Sequence, residues 1–340
     1  MREYNVPGMA ISVTDHGRQT FYNFGVASKT TRQPVTRDTL FEIGSVSKTF
    51  TATLATYAQT LGRLSLNDSP ARYLPSLRGT KLAEVSLMHL GTHTAGGFPL
   101  QVPDSISGQQ QLMHYFEAWT PQYAAGSART YANPSIGLLG VVTAKALGHP
   151  FKAVMERQLF PLLGLHDSYI YVPKSKMQRY AQGYDKADMP VRVNPGLLAD
   201  EAYGIKTTAS DLIRFVQLNI DASRGDGDLE KALRNTRVGY FKLGAMTQDL
   251  IWEQYDESVS LQDLLDGNSV KVAYETNPVQ AVVPPRPPTP STWVNKTGST
   301  NGFGAYVAFL PAQEKGIVIL ANKNFPIEAR IRLAYSILTR

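Results

Sequence analysis

Ser45 and Lys48, in the stretch FEIGSVSKTF (residues 41–50), set a hydroxyl and an amine three residues apart, which on a helix puts both on one face. A serine hydroxyl is a weak nucleophile and needs a base beside it. A lysine becomes that base when it is desolvated or set next to another cation. The N-terminal end of a helix also favours negative charge developing at Ser45. The ordinary alternative is that Ser45 or Ser47 caps the helix and Lys48 is solvated. A lone SxxK does not decide between them. Gly44, preceded by the apolar Phe41 and Ile43, places the turn inside the protein.

Two further groups have the right chemistry. Tyr131-Ala132-Asn133 lies between the turn residues Gly126-Ser127 and Pro134. A phenol with lysines nearby titrates below its usual value, because the cations favour phenolate, and so becomes a base. Asn133 offers an amide to hold a substrate carbonyl and to fix Lys48. On its own the pair also fits a half-buried tyrosine and a turn asparagine. Lys296-Thr297-Gly298-Ser299 precedes a glycine-rich turn at 301–304. Gly298 lets a ligand approach the backbone, the Ser299 N–H can point at an oxyanion, and Lys296 with Thr297 can bind a carboxylate. A strand running into a turn would look the same.

The elements that must position these groups are legible in the hydrophobic spacing. Residues 8–14 and 19–26 read as strands joined by a hairpin at 15–18. From Ser47, the residues Phe50, Leu54, Tyr57 and Leu61 recur at helical spacing until Gly62, so Ser45 and Lys48 fall in the first turn of a buried helix. Residues 63–270 read as mostly helix and loop without an internal repeat, and VVPPRPPTPS (282–291) as a rigid extended connector. Three strand-like runs then form an antiparallel meander: TWVNKTGS, GAYVAFLP and KGIVILAN. A last helix at 326–339 carries the stripe Ile331, Ala334, Tyr335, Leu338 and is expected to lie on that sheet. Strands at both ends with helices between imply an α/β chain of the α+β type, with one antiparallel sheet completed by both termini and a helical lobe inserted in the middle.

Composition removes several function classes. The 340 residues are 43% hydrophobic and 18% charged, which supports a sizeable core. There is no cysteine, hence no thiol nucleophile and no thiolate metal site. The net charge of +6 comes from scattered Lys and Arg rather than a basic stripe, so no nucleic-acid partner is expected, although it can help collect a carboxylate-bearing substrate. No apolar run approaches the ~20 residues of a membrane span, and no membrane partner is expected. His89 and His93 are four apart but interrupted by Gly91, and no metal or cofactor is expected. No GxSxG occurs, against an α/β-hydrolase.

Taken together and in this order, the three groups resemble those of the serine β-lactamases, class C most closely. The likeness covers nearly the whole chain through VPGMA, FEIGSVSKTFTATLA, TAGGFPLQVPD, TYANPSIGLLG, FPLLGL, RVNPG, EAYGIKTTASDL, NKTGSTNGFGAYVAFLP and ILANKNFP. It implies Ser45 as the acylated nucleophile, Lys48 as its partner and Tyr131 as the group that activates Ser45 and later the deacylating water. Lys296 would lower the Tyr131 pKa, and the Ser45 and Ser299 N–H groups would form the oxyanion hole. Gln101 and Asn133 would hold an acylamido side chain, Tyr203 would be its aromatic wall, and Thr297 and Arg330 would face a substrate carboxylate. The implied ligand is a β-lactam, cephalosporins foremost, met by a monomer in the bacterial periplasm after loss of a signal peptide.

The resemblance also divides the chain into an α/β domain (1–61, 130–207 and 270–340) and a mainly helical domain (62–129 and 208–269), with the active site between them. Ile327, His93 and Asn295 depart from the asparagine, tyrosine and histidine common at those places. The chain starts just before the first strand, without the N-terminal helix expected to pack on the last helix, whose apolar side would then be exposed. A D,D-peptidase or related esterase shares the Ser-Lys pair and differs in how fast water removes the acyl group. A penicillin-binding sensor that acylates and stops shares the same motifs.

Overall fold

The computed structural model describes residues 1–339. Its frame is one sheet of nine strands: β1 (Gly8–Asp15), β2 (Arg18–Gly25), β3 (Gly239–Leu243), β4 (Met246–Gln248), β5 (Glu253–Asp256), β6 (Gln280–Arg286), β7 (Thr292–Ser299), β8 (Gly304–Leu310) and β9 (Lys315–Ala321). They lie in the order β6-β3-β4-β5-β7-β8-β9-β1-β2, with each neighbouring pair antiparallel. The expected meander is therefore β7-β8-β9, and the N-terminal hairpin closes its far side through Met9↔Ala321 to Asp15↔Lys315. Both chain ends complete one sheet, as the pattern of strands predicted.

β8 and β9 are apolar and buried along almost their whole length, because both faces of the sheet are covered. The two-residue period sorts their side chains between the faces. Val307, Phe309, Val318 and Leu320 join a core with Leu212, Phe215 and Val216. Tyr306, Ala308, Ile317 and Ile319 join another with Ile331, Ala334 and Leu338. The helices of this frame are α1 (Ser47–Thr60), α2 (Asn133–Leu147), α3 (Ala209–Asp221) and α4 (Ile327–Leu338).

α1 is shared between two cores. Its Phe50 and Leu54 belong to the core of α3 and the sheet, while Ala52, Ala55 and Ala58 face a separate helical core with Leu87, Leu90, Leu138 and Leu139. Phe50 stacks on Phe215 at 4.1 Å and meets Phe160 edge-on at 5.8 Å. The first turn of α1 is thus fixed from both lobes.

Three expectations are corrected. Residues 208–269 do not fall wholly in the helical lobe: α3 packs on the sheet, and 239–256 supplies β3, β4 and β5. The proline-rich run is a free connector only in its second half, since its start lies in β6, an edge strand where prolines 284 and 285 need donate no ladder bond. The apolar stripe of α4 is not exposed, because Ile331, Ala334 and Leu338 face the sheet while the Glu328–Arg332 pair, at 2.7 Å, takes the solvent side. The described residues contain no helix long and apolar enough to cross a membrane.

Phe50→Ala removes a fully buried ring from the joint between the lobes and should cost about 3–5 kcal/mol of stability in urea denaturation. A loss below about 1 kcal/mol would mean that α1 is not the element holding this joint.

Candidate active site

Ser45 sits in a three-residue 3₁₀ turn, Gly44–Val46, that leads directly into α1. It therefore precedes the α-helix by two residues instead of lying inside its first turn. The turn abuts β7 so closely that two glycines are required. A Cβ on Gly298 would stand 2.0 Å from the Ile43 carbonyl oxygen, and one on Gly44 would stand 2.5 and 2.6 Å from the Ser299 backbone O and N. Gly44 also has φ 49°, in the left-handed region. The Ser45 turn is thereby pressed against the Ser299 backbone, the arrangement an oxyanion hole needs. The Ser47 hydroxyl accepts from the Ile205 N–H at 3.1 Å and locks the turn to the next segment.

Lys48 is fully buried. Its Nζ donates to Ser45 Oγ at 3.0 Å and to the Ala202 carbonyl at 2.9 Å. Burial lowers its pKa, and the positive charge of Lys296 adds to that effect, while Tyr131 opposes it. Asn133 does not hold Lys48: its Nδ2 donates to Gln101 Oε1 at 2.9 Å, and its Oδ1, the atom that could accept from an ammonium, has no partner among the described residues. The Ala202 carbonyl has taken the role expected of that amide.

Tyr131 stands among three cations. Lys48 Nζ, Lys296 Nζ and Arg129 Cζ lie 5.2, 5.1 and 5.4 Å from its ring centroid. Burial alone would raise its phenol; Lys296, Lys48 and the nearby Ser45 hydroxyl outweigh it, so the pKa falls below the usual tyrosine value. The Tyr131 hydroxyl has no hydrogen bond of ordinary geometry among the described residues, which leaves it available to a reacting group. Lys296 and Arg129 converge on Glu253 Oε1, at 3.5 and 3.3 Å, and Arg129 also donates to Gln248 Oε1 and the Val272 carbonyl.

His93 packs its ring 4.3 Å from that of Tyr131. Its Nδ1 accepts from the Ala132 N–H at 3.2 Å. Burial first, and then Arg129, Lys48 and Lys296, push its pKa well down, so it is a neutral ring against the phenol. His89 is drawn elsewhere, with Nδ1 at 2.9 Å from Ser86 Oγ.

These groups open on a cleft of about 500 Å³ whose lining includes Ser45, Gln101, Tyr131, Asn133, Tyr203, Lys296, Thr297 and Ser299. Ile327 and Asn324 line it beyond Ser299. Two expected residues are not part of that lining: Lys48, which stands behind Ser45 and bonds to its Oγ, and Arg330. Arg330 is fully enclosed behind β7, donating to Gly298 O at 2.8 Å, Ser299 Oγ at 3.1 Å, Asn324 Oδ1 at 2.5 Å and the Phe325 carbonyl. The expectation that it faces the substrate carboxylate is corrected: its guanidinium is committed to the backbone around Ser299 and positions that strand.

Sequence spacing missed Arg129 and Glu253. Arg129 had a signal, since it stands two residues before Tyr131 in an extended segment and so shares its face. Glu253 had none locally, because only the pairing Glu253↔Asn295 brings it beside Lys296.

The family model described as "Beta-lactamase" matches residues 1–339. The chain belongs to the β-lactamase family. It is 53% identical over 338 residues to a β-lactamase of Lysobacter lactamgenus, covering 99% of this chain and 88% of that one. It is 48% identical to one of Pseudomonas fluorescens, covering 100% and 95%. Among solved structures, a β-lactamase/D-alanine carboxypeptidase from Pseudomonas syringae superposes with a TM-score of 0.98 at 57% identity, covering 100% of this chain and 95% of the other. A class C β-lactamase in complex with cefoxitin superposes at 0.96 with 50% identity and coverage of 100% and 95%. Within its family the chain is thus a class C serine enzyme, a β-lactam hydrolase.

Gly298→Ala drives a methyl group into the Ile43 carbonyl and should part the Ser45 turn from the Ser299 backbone. Turnover should fall by about 100-fold or more with circular dichroism unchanged. Activity within about 2-fold of wild type would show that the close approach does not form the oxyanion site.

Proposed function

We propose that this chain hydrolyses the β-lactam amide of cephalosporins, and of penicillins, through an acyl-enzyme on Ser45. The observation that carries the residue assignment is Ser45 Oγ accepting from the buried Lys48 Nζ at 3.0 Å, beside a phenol flanked by three cations. Burial lowers the Lys48 pKa and the two lysines lower that of Tyr131, so each group gives up its proton more readily than usual and is placed to take that of the Ser45 hydroxyl. The oxygen attacks the lactam carbonyl, and the Ser45 and Ser299 N–H groups take the oxyanion. Collapse breaks the C–N bond, with the proton passing to the ring nitrogen. Water, giving its proton to Tyr131, then attacks the ester, and Ser45 leaves with a proton restored.

The cleft supplies the remaining contacts. Asn133 and Gln101, already bonded to each other, present amides for an acylamido side chain, and Tyr203 walls that side. Lys296 and Thr297 meet the carboxylate, while Ile327 offers an apolar surface next to them. Arg330 acts through Ser299. Every group invoked comes from one chain, which supports action as a monomer, and a β-lactam substrate supports a periplasmic site where it would confer antibiotic resistance. Two solved neighbours carry the name D-alanine carboxypeptidase, and that activity is the reading to be separated experimentally.

The test is hydrolysis of a chromogenic cephalosporin by the chain and its Ser45→Ala variant, with mass spectrometry during turnover. Sustained turnover, a transient adduct mapping to Ser45, and a loss of about 10³-fold or more in the variant are expected. One stable adduct without further hydrolysis would contradict the proposal and favour a peptidase or sensor.

A further inference from the structure

A second hollow of about 440 Å³ is lined by Glu201 of the short helix Ala199–Ala202, two residues from Tyr203 of the cleft. Leu74, Val141, Ala144, Pro150 and Phe151 form an apolar wall, and Glu201 is the one carboxylate among its lining residues. Glu201 reaches the hollow across α2 at Gly140, where a Cβ would stand 2.7 Å from Glu201 Cγ. Its side chain is half-buried, its carboxyl is bonded only to its own backbone N–H among the described residues, and no described cation pairs with it. Lys145 and His149 are exposed at the rim, and Asp200, which repels Glu201, is bonded to Tyr171.

We propose that this hollow binds a small ammonium compound with an apolar body. The Glu201 carboxylate pairs with the ammonium and the apolar wall takes the body. A half-buried carboxylate with no counter-ion is stabilised by a cation that fits beside it. An anionic ligand would meet Glu201 itself at the buried end, with only exposed rim cations to hold it. The occupant also bears on the active site. The Glu201 carbonyl accepts from Thr51 Oγ1 at 2.6 Å, the next carbonyl, Ala202 O, accepts from Lys48 Nζ at 2.9 Å, and Tyr203 lines the cleft.

The pH dependence has a definite sign. Burial pushes the Glu201 carboxyl up to about 7, so the carboxylate that pairs with an ammonium is present above that pH and lost below it. An alkylammonium keeps its charge up to ~10. Binding should therefore strengthen from acid to mildly alkaline conditions.

The experiment titrates phenethylamine into the intact protein, followed by two-dimensional NMR at about pH 8.5 and about pH 5.5. Shifts at Val141, Ala144, Phe151 and Ala202 are expected, with affinity lower by about 10-fold or more at the acid pH and in Glu201→Gln. Unchanged affinity in that variant, or shifts confined to the Ser45 cleft, would overturn the proposal. Val141→Trp fills the hollow while keeping Glu201, and retained binding there would overturn it equally, whether or not Glu201→Gln folds. Turnover of a chromogenic cephalosporin, a readout that rests on the hydrolase reading, should change in step with occupancy. Turnover indifferent to a saturated hollow would sink the link to Lys48 and leave the binding result to stand or fall by itself.

Discussion

The buried Tyr131 phenol ionises below its usual range chiefly because positive charges are enclosed with it, and enclosing those charges is the constraint on which this site depends. Each cation is held by something built for it. Lys48 rests on the Ala202 carbonyl, Lys296 on Glu253, and Arg129 on Glu253, Gln248 and the Val272 carbonyl. Glu253 pairs with two of these cations and offsets part of their charge, but its effect on Tyr131 is weaker than those of the lysines. His93, kept neutral by burial and by the same cations, covers one side of the ring without adding charge.

The fold brings these groups in from separate elements. α1 carries Lys48 and is pinned between two cores; β7 carries Lys296 and Ser299 from the middle of a sheet covered on both faces; the segment before α2 carries Tyr131. The contact that sets the distance between the first two is backbone on backbone, at Gly44 and Gly298. Arg330 reinforces it from behind by taking up the Gly298 carbonyl and the Ser299 hydroxyl. A cation enclosed in this way stiffens the oxyanion strand and is out of reach of a substrate.

Much of this was legible in the sequence, where local spacing carries the information. The three motifs name Ser45, Lys48, Tyr131 and Lys296, and the structure brings all four to one place. The meander and the N-terminal hairpin follow from alternation and turns. The strands at 239–256 escaped because they are three to five residues long and joined by tight turns, too short for a period to show. Glu253 and the Ala202 carbonyl escaped because their partners are distant in sequence, and a backbone carbonyl leaves no residue type to read. Arg330 was misplaced for a related reason: its type suggests an anion, and only its hydrogen bonds to the Gly298 and Ala305 carbonyls of β7 and β8 show that its donors are already taken.

The most direct measurement of the central claim is an ultraviolet difference titration of tyrosinate, comparing the wild-type protein with Tyr131→Phe. The cation cage predicts one phenol in the wild type that ionises below the ordinary tyrosine range of about 10 and is missing from the variant. Superimposable titration curves, with every phenol ionising at or above that range, would contradict it.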